Sequence, residues 1–425
     1  MAVSDEMESL CSPTQKRLLP YTILDLTEGG HNICGRLLGD MGAEVIKIEP
    51  PGGSQTRLRG PFTKDSDGKP RSLYWASYNS NKKGISLSLD TDEGRQIFLK
   101  LVNKSDAILE SFQPGYLDSL NLGFETLAKT NPQLVHTSMT PFGSTGPYAG
   151  FISTDLITSS MGGMPFVSGD EDRPPVRISF PQAELVAGSQ AFGATVAALR
   201  HSRNSKTGQH VDVSEQIAVM WTLMNATPFP QLHGTDVTRA GAFRKRGPID
   251  ARHVFRCADG YVSMNAQAKT LDGFIAWMSE EIEIEKEILG FDIGKWDLRP
   301  DSDPNGKEAS EFKKVEKAIE DFLLIKTKTE IFERALSAGL LVAPCNTVED
   351  IRKSPQLEAR SFWIDIYHPE FGKDITHLGP YMKMSETPLK VYSPSPSVGS
   401  DNEEIFKSLG IGKSEMEALR KGGTV

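Results

Sequence analysis

The sequence predicts an α/β protein built on a doubly wound parallel sheet. Three observations carry this. Residues 21–48 read strand, loop, helix, strand, a βαβ unit that implies a parallel pair. The same alternation recurs to about residue 225. The texture then becomes basic and charged-helical before an α/β style returns near residue 330.

Each element has its own reason. Tyr21 to Leu26 is a short β-rich run. A helix is predicted from Cys34 to Met41, stopped at Gly42. Ala43 to Ile48 is the second strand, broken by Pro50-Pro51-Gly52-Gly53. Gly84 to Leu89 alternates apolar and polar residues, and Asp92 to Val102 is an amphipathic helix. Asp106 to Glu110 and Leu134 to Ser138 read as strands, with a helical stretch from Asn121 to Lys129 between them. Glu184 to Arg200 is a long alanine-rich helix. Val211-Asp212-Val213 leads into a helix from Glu215 to Met224.

The next stretch reads as a smaller α+β domain. Arg239 to Arg252 is basic: a solvated loop, a contact for a polyanion or substrate carboxylate, or, through Gly241 and Gly247, a mobile flap. His253 to Ala266 suggests a hairpin about Asp259-Gly260. Ser279 to Lys328 is charged and helical, broken at Pro300 to Gly306. A helix from Ile331, a loop to Asn346 and a helix from Val348 follow. Pro394 to Ser400 links to a terminal helix whose last residues are expected to fray. The predicted domains are 20–225, 226–330 and 331–412.

Composition narrows the function classes. A chain of 425 residues is too long for one core. Lys and Arg number 47 against 56 Asp and Glu, a net charge of −9. That acidity gives no support to a nucleic-acid or anionic-membrane role. No run of about 18 apolar residues occurs, and Met1 to Ser12 lacks a signal-peptide core. Cys11, Cys34, Cys257 and Cys345 are far apart with no CxxC pair, so a cytoplasmic protein without a cysteine metal site is expected. No P-loop, G-x-G-x-x-G, G-x-S-x-G or H-E-x-x-H is present. Fold pattern alone therefore does not give a function.

Several segments together resemble family III CoA-transferases, the CaiB/BaiF-like group. They are Ile23-Leu24-Asp25-Leu26 with Leu38 to Glu49, Asn79-Ser80-Asn81-Lys82-Lys83, Glu110-Ser111-Phe112-Gln113-Pro114-Gly115, Phe142 to Pro147, Lys206 to Val213, and Ala343 to Thr347 with Pro355-Gln356. Six blocks in order are far more specific than any one. The resemblance implies a Rossmann-like large domain made from both chain ends, an inserted small domain, and two subunits interlocked as a homo- or heterodimer. It implies acyl-CoA and carboxylic acid substrates and no permanently bound cofactor.

The resemblance puts Glu184 at the position of the family's catalytic aspartate. As a plain residue, Glu184 is a first-turn acid that stabilises its helix by about 0.3–1 kcal/mol. As a nucleophile it would take an acyl group and then CoA. Glutamate reaches about 1.5 Å further than aspartate, one C–C bond. The resemblance also implies CoA contacts: Arg57, Lys82 and Lys83 on phosphates, Asn81 beside them, and Phe112 along the pantetheine path. Departures from the family pattern are Ser111, Ser119, Thr154-Asp155 and the shortened loop Glu28-Gly29-Gly30-His31-Asn32. Three functions follow. The first is CoA transfer from an acyl-CoA such as succinyl-CoA, with an aromatic succinate as one acceptor. The second is a non-catalytic subunit paired with an aspartate-bearing one. The third is 2-methylacyl-CoA racemisation, which needs a His–Asp pair and is disfavoured by Thr154.

Overall fold

The computed structural model describes residues 19–246, 249–292 and 306–425. Met1 to Ser12 with its Cys11, Gly247, and residues 300–305 of the predicted loop lie outside the described residues. Two compact units result. One comprises residues up to Met164, Ile178–Thr227 and Gln356–Val425; the other comprises Pro165–Arg177 and Pro228–Pro355.

The first unit contains six parallel strands: β1 (Thr22–Leu26), β2 (Glu44–Glu49), β3 (Lys82–Ser86), β4 (Ala107–Glu110), β5 (Val135–Thr140) and β6 (Gln209–Ser214). Their spatial order is β3-β2-β1-β4-β5-β6. This is the dinucleotide-fold order, in which the winding reverses between β1 and β4, and a crevice opens at the carboxyl ends of those two strands.

Alternation along the strands fills both faces. Ile23, Val45, Ala107 and Leu109 share one core with Cys34 and Leu38 of helix α1 (Asn32–Asp40). Helix α3 (Ala183–Ser205) covers the same face through Ala191, Ala198 and Leu199, and α4 (Glu215–Thr222) follows β6. Leu24, Ile46, Ile48 and Ile108 point the other way, onto Phe98 and Leu101 of α2 (Asp92–Val102). Asp92 and Glu93 in the first turn of α2, with Thr91 accepting from the Gly94 N–H, make a regular helix start.

The chain end belongs to this unit. Ile405 and Phe406 of α8 (Asn402–Ser408) and Met416 and Leu419 of α9 (Lys413–Lys421) join the second core. The expected fraying is corrected here: Thr424 is buried, and its carbonyl accepts from the Ser88 N–H at 2.8 Å. A hairpin the sequence reading lacked, β12 (Trp363–His368) with β13 (Lys373–Leu378), turns at Gly372.

In the second unit, the Arg239 to Arg252 stretch contains a hairpin instead of a solvated loop: β7 (Phe243–Arg246) pairs with β8 (Ile249–Arg252). The Arg252 guanidinium lies 4.6 Å from the Phe243 ring. Strands β9 (Val254–Cys257), β10 (Gly260–Met264) and β11 (Val342–Pro344) form an antiparallel sheet. Helices α5 (Ala268–Glu281), α6 (Lys307–Leu323) and α7 (Lys328–Ala338) close its core around Phe255, Phe274, Ile319 and Ile331. Because β11 pairs with β10, this unit runs past residue 330 to Pro355, whereas the helical texture of 331–353 suggested a return to the large domain.

Candidate active site

Glu184 occupies the second position of α3, at the end of the helix nearest the β1 loop. Its Oε2 accepts from the Gly30 N–H at 2.6 Å. Arg59 holds the carboxylate in a fork: Nη1 donates to Oε2 at 2.6 Å and Nη2 to Oε1 at 3.1 Å. The Glu184 side chain is 10% exposed and that of Arg59 44%. The Glu184 N–H donates to Asp155 Oδ1 at 3.2 Å, so Asp155 covers the open start of α3.

The β1 loop is shaped for this carboxylate. Gly29 has φ +61°, and a Cβ there would overlap Glu184 Oε2. A Cβ on Gly30 would stand 2.7 Å from Glu184 Cβ. Glycine at both positions lets the Glu184 side chain lie this close to the backbone. Glu28 fixes the neighbouring segment. Its Oε2 accepts from Ser54 Oγ at 2.6 Å, Thr56 N at 3.0 Å and Thr56 Oγ1 at 2.5 Å. That anchors the 3-10 turn Gln55–Leu58, from which Arg59 emerges. The Glu28 N–H donates to Ser111 Oγ at 2.8 Å, joining the loops after β1 and β4 across the switch point.

Charge around the site is organised. Burial pushes the Glu184 pKa up. The Arg59 hydrogen bond, the His31 charge and the Gly30 N–H outweigh burial and hold it below the usual carboxylate range. His31 lies 3.1 Å from Glu215 through Nε2, and its Nδ1 is 3.1 Å from the Glu28 carbonyl. Burial alone would lower its pKa, but Glu215 and then Glu184 raise it. Burial, reinforced by Glu184, raises the pKa of Tyr74 and Tyr78, which remain neutral donors. Burial also raises Asp155, partly offset by the N–H groups at the start of α3. The result is a partly desolvated carboxylate, held below the usual carboxylate range, flanked by Arg59 and His31 at the crevice of the sheet.

The expected phosphate contacts fall elsewhere. All three donors of Lys82 are spent inside the fold, on Asp25 Oδ2 at 2.7 Å, the Asn32 carbonyl at 2.8 Å and Asn79 Oδ1 at 2.9 Å. Asn81 is a buried staple. It donates to Asp40 at 2.6 Å and to the Lys390 carbonyl at 2.8 Å, and it accepts from the Tyr392 and Ser393 N–H groups. Lys83 pairs with Glu44 and Glu404, each at 2.7 Å; Glu44 opens β2, so Lys83 is at the sheet end opposite Glu184. Arg57 forks onto Glu49, donates to the Pro396 carbonyl, and stacks 3.8 Å from the Trp75 ring. Phe112 follows β4 at the crevice end, with its ring 4.6 Å from that of Tyr116. Glu184 and Phe112 thus lie at one end of the sheet, while the four polar candidates serve the fold.

Arg59, His31, Tyr74 and Glu215 are the site residues sequence reasoning missed. Arg59 follows the 3-10 turn that holds Arg57, so residue spacing alone gave no signal for it. Ser119 donates to the Tyr116 carbonyl, a local turn bond. His31 is held by Glu215 at Nε2 and by the Glu28 carbonyl at Nδ1.

Known proteins resemble this chain along nearly its whole length. The family model described as CoA-transferase family III matches residues 21–402. The succinyl-CoA:(R)-benzylsuccinate CoA-transferase subunit BbsE of Thauera aromatica is 31% identical over 95% of this chain and 97% of its own. The succinyl-CoA:mesaconate CoA-transferase of Haloarcula hispanica is 29% identical over 92% of this chain and 96% of its own. Among solved structures, a CaiB/BaiF family protein from Brucella suis superposes with TM-score 0.80 at 26% identity, covering 93% of this chain and 100% of its own.

Proposed function

The chain belongs to CoA-transferase family III, and on that premise we propose that it moves CoA from succinyl-CoA to a carboxylic acid with Glu184 as the acyl-accepting carboxylate. The observation that carries this is the Glu184 carboxylate itself: ionised, nine-tenths buried and hydrogen-bonded to the Gly30 N–H at the switch point.

The steps balance without a net proton. A Glu184 oxygen attacks the thioester carbonyl, the C–S bond breaks, and the pair leaves on the CoA thiolate. The thiolate attacks the Glu184 carbonyl of the mixed anhydride. The released acid departs, and CoA remains as a thioester on Glu184. The acceptor carboxylate attacks that thioester, and the thiolate then attacks the acceptor's carbonyl, restoring Glu184. The Gly30 N–H is a donor to oxygen charge developing there. Relatives named for benzylsuccinate, mesaconate and D-citramalate support a dicarboxylic acceptor, with an aromatic succinate among the candidates.

The working form is an interlocked pair of homologous subunits. In support, Ile152, Trp221 and Met224 expose 86%, 61% and 61% of their surface, an apolar display that another chain would cover. Relatives named as subunits agree with this.

A second reading makes this chain the non-catalytic partner of an aspartate-bearing subunit. It is favoured by Arg59, which engages both Glu184 oxygens. Replacement Glu184→Gln in the native assembly separates the two. A loss of kcat by about 10³-fold or more supports Glu184 chemistry. Unchanged turnover assigns the chemistry to the other subunit.

A further inference from the structure

The transfer steps make no use of Arg59 or Tyr74, yet both border Glu184. A guanidinium has five N–H donors, and Glu184 takes two of them. The rest of a side chain that is 44% exposed can face a ligand. The Tyr74 hydroxyl is buried beside Arg59, whose guanidinium and charge act on its oxygen. Its ring centroid is 5.8 Å from the Arg59 guanidinium carbon, and its ring leans on Tyr78 at 4.6 Å. Arg59 can only donate to that oxygen, so the Tyr74 O–H itself is left to donate to an incoming acceptor.

Resting on the reading that Glu184 accepts the acyl group, we infer that Arg59 and Tyr74 select acyl groups carrying a second carboxylate, which takes over Arg59 as Glu184 is acylated. The argument is one of charge. Attack converts the Glu184 carboxylate to a neutral anhydride, with the thioester electron pair leaving on the CoA thiolate. Arg59 then loses its anion in a half-buried place. A succinyl-type group carries a free carboxylate that can fork onto the guanidinium and accept from the Tyr74 O–H. A monocarboxylic acyl group of equal length leaves both donors without an acceptor. Arg59 also restrains the empty site, since a carboxylate gripped on both oxygens is a poor nucleophile until another anion competes for the guanidinium.

The test compares succinyl-CoA with butyryl-CoA, which has the same four-carbon chain and a methyl group where succinyl has its carboxylate. The native assembly is given each donor with one acceptor. kcat/KM is measured, and the Glu184 peptide is weighed for acyl or CoA adducts. The wild type is expected to prefer succinyl-CoA by about 100-fold or more. Arg59→Gln should bring the two donors to within about fivefold, by loss with succinyl-CoA and gain with butyryl-CoA. Tyr74→Phe, a change confined to one hydroxyl, should lower the preference by about tenfold. Equal use of both donors by the wild type overturns the inference, as does a preference that survives Arg59→Gln. Absence of any adduct on Glu184 with either donor overturns the underlying reading of Glu184 instead.

Discussion

Glu184 is held by its surroundings at the start of α3. Gly29 and Gly30 remove the Cβ atoms it would meet, and Arg59 and the Gly30 N–H fix its carboxylate. His31 provides the pH handle. Its pKa is raised above the ordinary imidazole value of about 6.5. A raised value contributes stability that is present below the ordinary pKa and lost as pH rises through the folded one. His31 should therefore contribute a loss of thermal stability as pH rises above about 6.5, a contribution that His31→Gln should remove. Melting curves from pH 6 to 9 on both proteins check this. At this scale the sequence was half legible. The start of α3 at Glu184 could be read from the apolar run that follows it. Lys82, Asn81, Lys83 and Arg57 misled because a polar residue in a motif does not show its partner: Asp25, Asp40 and Glu404 come from distant segments, and Glu49 from the strand just before Arg57.

The element that matters most is the loop after β1, pressed against the first turn of α3. Gly188, one turn further along α3, also lies close, since a Cβ there would be 3.3 Å from His31 Cα. Gly30→Ala inserts a methyl group 2.7 Å from Glu184 Cβ. It should cost about 1–3 kcal/mol of stability by overpacking and reduce turnover by about a hundredfold through displacement of the carboxylate by about 1 Å. Chemical denaturation and kcat measured on the same preparation separate the two effects. The βαβ units were legible because their apolar runs are long and their breaks hold glycine or proline. The β12–β13 hairpin was not. Its strand Trp363–His368 buries only Ile366 and His368 fully, which gives little periodic signal. The three residues of β11 are too few to announce a strand, and their partner lies about 80 positions earlier.

Across the first unit, a buried charge cluster ties β1, β2 and β3 together. Asp25 sits between Lys82 at 2.7 Å and Lys47 at 3.4 Å, with all three side chains essentially inaccessible. Burial opposes ionisation of Asp25, but the two lysines win and hold its pKa far below the carboxylate range. Burial brings Lys82 down to about 8. The signs differ. The Asp25 contribution is present above the ordinary carboxylate pKa and lost as pH falls below it. The Lys82 shift is a cost at neutral pH, relieved as pH rises through about 8. Lys82→Met leaves Asp25 with a single, longer pairing and should cost about 3–5 kcal/mol, read as a fall in denaturation midpoint. The same change at Lys83, on exposed pairs, should cost about 0–1 kcal/mol. The six-strand order followed from the sequence only as a fold class. Which lysine is structural depended on where the winding brought β1 and β3 in space.

The claim that joins these scales is that Glu184 accepts CoA. The direct measurement incubates the native assembly with succinyl-CoA and no acceptor acid, then quenches, digests and weighs the peptides. A CoA thioester on the peptide containing Glu184, absent after Glu184→Gln, is the predicted result. CoA transfer that proceeds with Glu184 unmodified, and the adduct on another subunit's carboxylate, would contradict it.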